Sequence, residues 1–277
     1  FITVLLGAAN DNVFKNGMVL LLIYFISTNA PMDESVLVTL AAGLFILPFF
    51  LFSATAGQLA DKYEKSHLIR RIKLAEIAIM GLGVVGLILG DIYLLMTVLF
   101  LMGVQSSYFG PLKYSILPSL MREEELIAAN AIIESGTFLA ILLGTIAGGL
   151  LIGLENGPVI VAALVLGIAI LGWLASLGIP GVAAPQPDLA IGWNVLAETV
   201  RVVRRSARER TVFLSILGIS WFWLIGATLM AQIPNSAKSA FNGDRNVVTF
   251  FLVVVTIGIA AGSMFCNRLL KGEISAR

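Results

Sequence analysis

The residues able to do chemistry in this chain are few, and they stand in an apolar background. The densest set is Asn10-Asp11-Asn12 followed by Lys15 and Asn16, all inside the first long apolar run. Asp11 and Lys15 are four residues apart, so on a helix they share a face and can pair. A charge deep in a membrane-spanning helix costs about 2.5 kcal/mol or more on insertion scales, so each needs a partner or a task. Two tasks are open. The pair can neutralise itself near the cytoplasmic end of the helix and snorkel to water. Alternatively, Asn10, Asp11, Asn12 and Lys15 form the polar floor of a central cavity that binds a head group or a coupling cation. Glu134, one turn after Asn130 in AANAIIESGTF, either faces that cavity or braces the neighbouring loop. Gln105 and Gln232 complete the candidate binding set, as amides of the kind that bond between helices. Glu76 follows Lys73 by three residues and reads as a structural pair.

Other chemistry is excluded by what the chain lacks. The single histidine, His67, sits in a basic loop, and the single cysteine is Cys266. A histidine metal centre, a catalytic triad and an internal disulfide all need more. No Gly-rich phosphate loop, zinc spacing or nucleophile elbow is present. No metal or cofactor is expected. The net charge of +1 says nothing about nucleic acid by itself; no nucleic-acid partner is expected.

The elements that must carry these residues are membrane helices. The chain is 58% hydrophobic and only 13% charged, with a mean hydropathy of +0.95, whereas soluble domains are nearer a quarter charged. Eight runs have membrane-crossing length, at 1–28, 36–60, 68–90, 92–117, 127–154, 158–180, 210–234 and 247–270. The expected fold class is therefore all-α and integral to the membrane. Loop charges alternate. Lys62, Lys65, Arg70 and Arg71 follow the second span, Lys113 and Arg122 the fourth, and Arg201, Arg204, Arg205, Arg208 and Arg210 the sixth. The opposite loops hold Asp33, Glu34, Asp91 and Glu155. Positive loops stay in the cytoplasm, which places the N-terminus there too. Lys238 and Arg245 are the exceptions. Phe1 already lies in an apolar run without an initiating Met, so residues are expected upstream.

Residues 181–209 read as a linker. PGVAAPQPDLA is extended, and IGWNVLAETVRVVRRSARER is an amphipathic helix with Ile191, Val195, Val202 and Val203 opposite an arginine-rich face. Such a helix lies on anionic lipid or stays solvated with its charges stopping transfer. The expected organisation is a six-helix bundle over 1–180, this linker over 181–209, and the first two helices of a second bundle over 210–277. Pro48, Gly110-Pro111 and Pro234 are expected to break spans two, four and seven. Gly144-x-x-x-Gly148-Gly149 is expected to let helices approach closely.

The loop after the second span supplies the first family resemblance. Gly57-x-Leu59-Ala60-Asp61-Lys62, followed by Lys65 and further cations, resembles the loop signature of the major facilitator superfamily. By that resemblance the fold is the major facilitator fold, with about eight of an expected twelve transmembrane helices in this chain. Gly57, Asp61, Lys62 and Lys65 then form a gating loop. Asp61 would act as a latch, with Lys62, Lys65, Lys113 or Arg122 as local partners. Asn267-Arg268-x-x-Lys271 repeats the pattern weakly after the eighth span.

Longer stretches narrow the resemblance. LLGAANDNVFKNGMVLL, SSYFGPLKYSILPSL, EELIAANAIIESGTFLAILLGTIAGGLL, SWFWLIGATLMAQIPNSAK and GIAAGSMFCNRLLKGE are similar to the bacterial lysophospholipid transporter family, a branch of that superfamily. The resemblance implies flipping of lysophospholipid across the bacterial inner membrane toward the cytoplasmic side for reacylation. The implied partners are the lysophospholipid, membrane lipids and a cytoplasmic acyltransferase, separate or fused. Phe14, Phe109, Trp221, Phe222 and Trp223 would line the acyl side. The chain departs from drug antiporters: span four has no arginine in LFLMGVQSS, Gly144-Thr145 stands where a Gly-Pro is usual, and Glu64 replaces a loop glycine. Two alternatives stay open, a drug or small-solute exporter and the membrane module of an acyltransferase–ligase fusion. The His-x-x-x-x-Asp of such acyltransferases is not formed here, because Ile72 stands five residues after His67.

Overall fold

A computed structural model describes residues 1–22 and 34–241, with isolated positions between 251 and 265. Every regular element among the described residues is helical. They are α1 (Ile2–Leu21), α2 (Glu34–Lys62), α3 (Lys65–Leu89), α4 (Ile92–Ser115), the single turn α5 (Leu117–Leu120), α6 (Leu126–Ile152), α7 (Gly157–Leu177), α8 (Val195–Ser206) and α9 (Arg210–Phe241). A helix satisfies its own backbone groups, which is the condition for crossing hydrocarbon. Five stretches are long and apolar enough to cross a membrane: Val36–Lys62, Lys65–Leu89, Ile92–Ser115, Glu123–Ile152 and Gly157–Leu177. α8 and the start of α9 count as a sixth only if taken together across their 118° bend. α1 is 20 residues long, but its asparagines and charges lower its hydropathy. The eighth expected span and the Asn267-Arg268-x-x-Lys271 repeat lie outside the described residues, apart from those isolated positions.

Local signals set the helix ends. Asp91 caps α4 by accepting the Leu94 N–H at 3.0 Å. Gly90 closes α3 at φ 64°, a left-handed conformation that glycine adopts without a Cβ clash. α3 and α4 are thereby joined in a tight hairpin. Arg70 caps the end of α7, donating to the carbonyls of Ser176, Leu177 and Ile179 at 3.4, 3.3 and 2.7 Å. Pro48 and Pro111 sit inside continuous helices rather than ending them. α9 likewise runs through position 234 to Phe241, so the expected end of span seven at Pro234 is corrected.

The core forms where α1, α3, α4 and α7 meet, around Phe14, Met18, Met80, Leu95, Leu99 and Val165. α1 packs tightly on α6 because Gly144 and Gly148 put no side chain between the backbones. A Cβ on Gly144 would sit 2.5 Å from the Ala9 carbonyl oxygen, and one on Gly148 would meet that of Val13. Asn16 fastens the same seam, donating to the Thr145 carbonyl at 2.7 Å. The Gly144-x-x-x-Gly148 stripe thus serves packing.

The stretch after α7 is tied to the loop between α2 and α3. Gln186 N–H donates to the Asp61 carbonyl at 2.9 Å, and Gly192 N–H to the Gln58 side chain at 2.8 Å. Gln58 in turn donates to Glu198 of α8 at 2.8 Å. Glu198 is buried and also accepts from Arg201 at 2.5 Å. α8 is therefore docked on the end of α2, while Leu196, Val200 and Val203 stay exposed.

Glu64 is the hub of this junction. Its carboxylate accepts the N–H groups of Ser66 and His67 at 3.0 and 2.7 Å, capping α3, and that of Val182 at 2.7 Å. Burial opposes its ionisation, but these donors win and hold its pKa at about 2, below the ordinary 4.5. The sign follows from linkage: the stabilisation is complete above pH 4.5 and fades as pH falls toward 2. A hydrogen bond to a charged acceptor is worth about 1.5–3 kcal/mol. Glu64→Gln at neutral pH should therefore speed hydrogen exchange at the Val182 N–H about tenfold or more. Unchanged exchange would mean that the carboxylate does not hold the linker.

Candidate functional site

Polar side chains gather in a seam where α1, α3 and α4 face one another. Its buried end is a knot around Glu76. That carboxylate accepts from Lys73 at 2.6 Å, Asn10 at 2.9 Å and Gln105 at 3.1 Å. Lys73 and Glu76 are only 1% and 3% exposed. The Lys73 ammonium also lies 4.7 Å from the centroid of the Phe109 ring. Gly7 makes room for it, since a Cβ there would come within 2.5 Å of the nitrogen. Three donors on one carboxylate offset the desolvation that makes buried charge costly.

The open end of the seam is Asp11. The Ser106 hydroxyl donates to it at 2.7 Å and lies 3.1 Å from the Gln105 side-chain oxygen. Asp11 is half-buried, and so are Val4, Ala8 and Lys15, which share its side of α1. Asp11 lies about 14 Å along α1 from its first residue, at 1.5 Å per residue. Asp11 and Lys15 do not form an ion pair. The Lys15 ammonium turns to α2 and sits 5.3 Å from the centroid of the Phe45 ring.

The remaining expected residues divide. Asn12 donates to its own helix, at the Ala8 carbonyl, 2.8 Å away. Glu134 accepts from the Tyr114 hydroxyl at the end of α4. Lys113 lies beside it, 4.6 Å from the Tyr114 ring centroid. Gln232 falls in α9, with its side chain outside the described residues. In the loop between α2 and α3, where gating was expected, Gly57 has open space where a Cβ would point, Lys65 is buried, and Lys62 lies 6.0 Å from the Tyr63 ring centroid. Asp61 is exposed, and its carboxylate pairs with none of Lys62, Lys65, Lys113 or Arg122. The expected local partners are therefore corrected: only the Asp61 backbone carbonyl is engaged, by Gln186.

The aromatic set divides as well. Phe14 is fully buried, because Gly83 of α3 takes its ring; it cannot line an acyl cavity. Phe109 is also buried. Trp221, Phe222 and Trp223 are exposed, and Trp223 stacks on Phe138 of α6 at 5.9 Å. An apolar pocket of about 360 Å³ opens between the N-terminal parts of α2 and α4, lined by Leu37, Leu44, Met96 and Phe100 among others, apart from the polar seam. No cluster of three or more His, Cys, Asp or Glu side chains suited to a metal occurs among the described residues. Ser106 escaped the reading of the sequence. Its signal was the run Gln105-Ser106-Ser107, three polar residues in succession within an apolar span.

Comparison with known proteins adds the family. The profile described as Major Facilitator Superfamily matches residues 5–277. A protein named "Lysophospholipid transporter LplT" from Escherichia coli O1:K1 / APEC is 30% identical over 240 residues, which is 84% of this chain and 57% of that protein. Proteins of the same name from Shigella boydii serotype 4 (strain Sb227) and Escherichia fergusonii match with the same identity and coverage. The chain thus spans a little over half the length of the curated relatives it matches.

Proposed function

Because the chain belongs to the Major Facilitator Superfamily, we propose that it is part of a transporter that flips lysophospholipids across the bacterial inner membrane toward the cytoplasmic side, where they are reacylated. It is a multi-pass membrane protein, and the alternation of loop cations puts its N-terminus in the cytoplasm. Support for the substrate comes from the relatives named as lysophospholipid transporters. The observation that carries the site is Asp11. It is a half-buried carboxylate midway along a membrane helix, with the Ser106 hydroxyl as its hydrogen-bond donor. Intramembrane carboxylates that face away from a packed core belong to substrate or ion paths. Asn10 and Gln105 hold the floor of the site through Glu76, and Lys15 and Glu134 contribute charge around it. Gly57, Asp61, Lys62 and Lys65 form the gating loop. Asp61, exposed and unpaired among the described residues, is available to the second half of the transporter. A cytoplasmic acyltransferase, separate or fused, consumes the delivered lipid.

The test uses the full-length protein in spheroplasts of a host lacking its own lysophospholipid uptake. Labelled lysophosphatidylethanolamine should move inward in proportion to the amount of protein, with no export of cationic dyes. Dye export without lipid uptake would overturn this reading in favour of a drug exporter.

A further inference from the structure

α8 has three unlike sides, and protein covers one of them. The side carrying Glu198 is docked. Glu198 is buried and accepts from Gln58 of α2 at 2.8 Å, and Val195 and Thr199, which complete that side, are half-buried. A second flank is apolar. Leu196, Val200 and Val203, four and three residues apart, share one helix face and are 66, 57 and 55% exposed. Trp193, just before the Asn194 cap, is 74% exposed. The third flank is basic. Arg201 and Arg205, four residues apart, share it, Arg204 adjoins it, and all three are exposed. Between residues 195 and 210 stand five arginines against two glutamates. Arg201 pairs with Glu198 at 2.5 Å. The side chains of Arg204, Arg205, Arg208 and Arg210 enter no ion pair among the described residues.

The position of α8 sets what meets its apolar flank. The helix stands between α7 and α9 and turns through 118° into α9, so it runs across the direction of the helix that follows. It docks on the end of α2, at Gln58, and the loop charges put that end at the cytoplasmic face of the bilayer. Protein, lipid and water are the three surroundings at that level, and α8 has one side suited to each. A row of large apolar side chains left in water would be an exposed patch with nothing to cover it. The same row sinks readily into the boundary between head groups and acyl chains, where a tryptophan is also favoured. The arginines complement the negative charge of anionic phospholipids, which attract basic segments beside membrane spans. We infer that α8 is a peripheral site for anionic phospholipid of the inner leaflet, with Leu196, Val200 and Val203 among the acyl chains and the arginines on the phosphates. Because Glu198 ties the same helix to Gln58, lipid-bound α8 also holds the end of α2 at the bilayer surface. The occupant is bilayer lipid rather than cargo, so the inference goes beyond the transport reading and takes from it only the orientation.

The experiment places a spin label at Val200→Cys or Arg205→Cys in the full-length protein, with native cysteines replaced by serine. The protein is held in nanodiscs of phosphatidylcholine with or without phosphatidylglycerol. Collisions with oxygen report lipid, and collisions with a nickel chelate report water. With phosphatidylglycerol present, the Val200→Cys label should be reached by oxygen and shielded from nickel, while the Arg205→Cys label stays open to nickel. Adding Arg204→Gln and Arg208→Gln should lower the ratio of inserted to exposed Val200→Cys label about fivefold per arginine lost. Arg204→Lys and Arg208→Lys should retain it, because lysine keeps the charge. A Val200→Cys label open to nickel in both lipids would leave α8 solvated and overturn the site. A label shielded from both reagents in both lipids would mean that protein covers the flank, and would overturn it as well. Equal insertion in the two lipids would overturn the role of anionic head groups. Reaction of Arg205→Cys with an impermeant thiol reagent added outside intact spheroplasts would overturn the cytoplasmic orientation on which the site rests.

Discussion

Lys73→Met should be among the most destabilising single substitutions in this bundle, costing about 3–5 kcal/mol, because it leaves the Glu76 carboxylate buried without its cation. Glu76 is 3% exposed and cannot turn to water. Its other donors, Asn10 and Gln105, are neutral amides. Glu76→Gln should cost a similar amount for the converse reason, since it strands the Lys73 ammonium, which the Phe109 ring only partly compensates. Removing both charges in Lys73→Met/Glu76→Gln should recover a large part of either loss. The check is a double-mutant cycle on the full-length protein in detergent, read as thermal stability and monodispersity. Direct contact predicts a coupling on the order of 0.5–3 kcal/mol. Additive losses would mean that the two groups do not compensate each other in the membrane.

Gly144→Val should separate α1 from α6 and cost about 3 kcal/mol, near the upper end of ordinary overpacking. The first added carbon alone would sit 2.5 Å from the Ala9 carbonyl oxygen and 3.2 Å from its Cα. These are backbone atoms, so no rotamer change relieves the clash and the helices must part. Parting them strains the hydrogen bond from Asn16 to the Thr145 carbonyl, 2.7 Å long and immediately adjacent. Gly167→Ala is the control, because nothing lies within 4 Å of a Cβ at that position and alanine favours a helix over glycine by about 0.8–1 kcal/mol. Melting of the full-length protein should fall for Gly144→Val and hold or rise for Gly167→Ala. Equal melting of the two variants would remove the close-approach role of Gly144.

The linker shows how far local reading reaches. Its amphipathic helix was legible, and α8 forms over Val195–Ser206 with Asn194 capping the Ala197 N–H at 3.1 Å. Its attachment was not. Glu64 was legible only as a departure from a family pattern. Its bond to Val182 joins residues 118 positions apart, and no local pattern encodes such a pairing. Asp61 fails in the other direction. Its charge suggested nearby cations as partners, yet on the exposed end of α2 water solvates its carboxylate at little cost, so nothing forces an ion pair to form.

Composition and periodicity by themselves determined that this chain is helical and made for a membrane. They also determined that Asp11 and Lys15 share a face, that Lys73 can reach Glu76, and that Gly144 and Gly148 let a helix come close. Those properties follow from hydropathy, a rise of 1.5 Å per residue and the absence of a side chain, all of which are local. Only the tertiary structure decided which acid–lysine pair closes. Lys73 and Glu76 are walled in by α1 and α4, so each is the other's best partner. Asp11 and Lys15 meet Ser106, 95 residues away, and Phe45 on another helix. Helix geometry sets which side chains can meet, but the rotamer each adopts is chosen by neighbours that arrive only when the bundle packs.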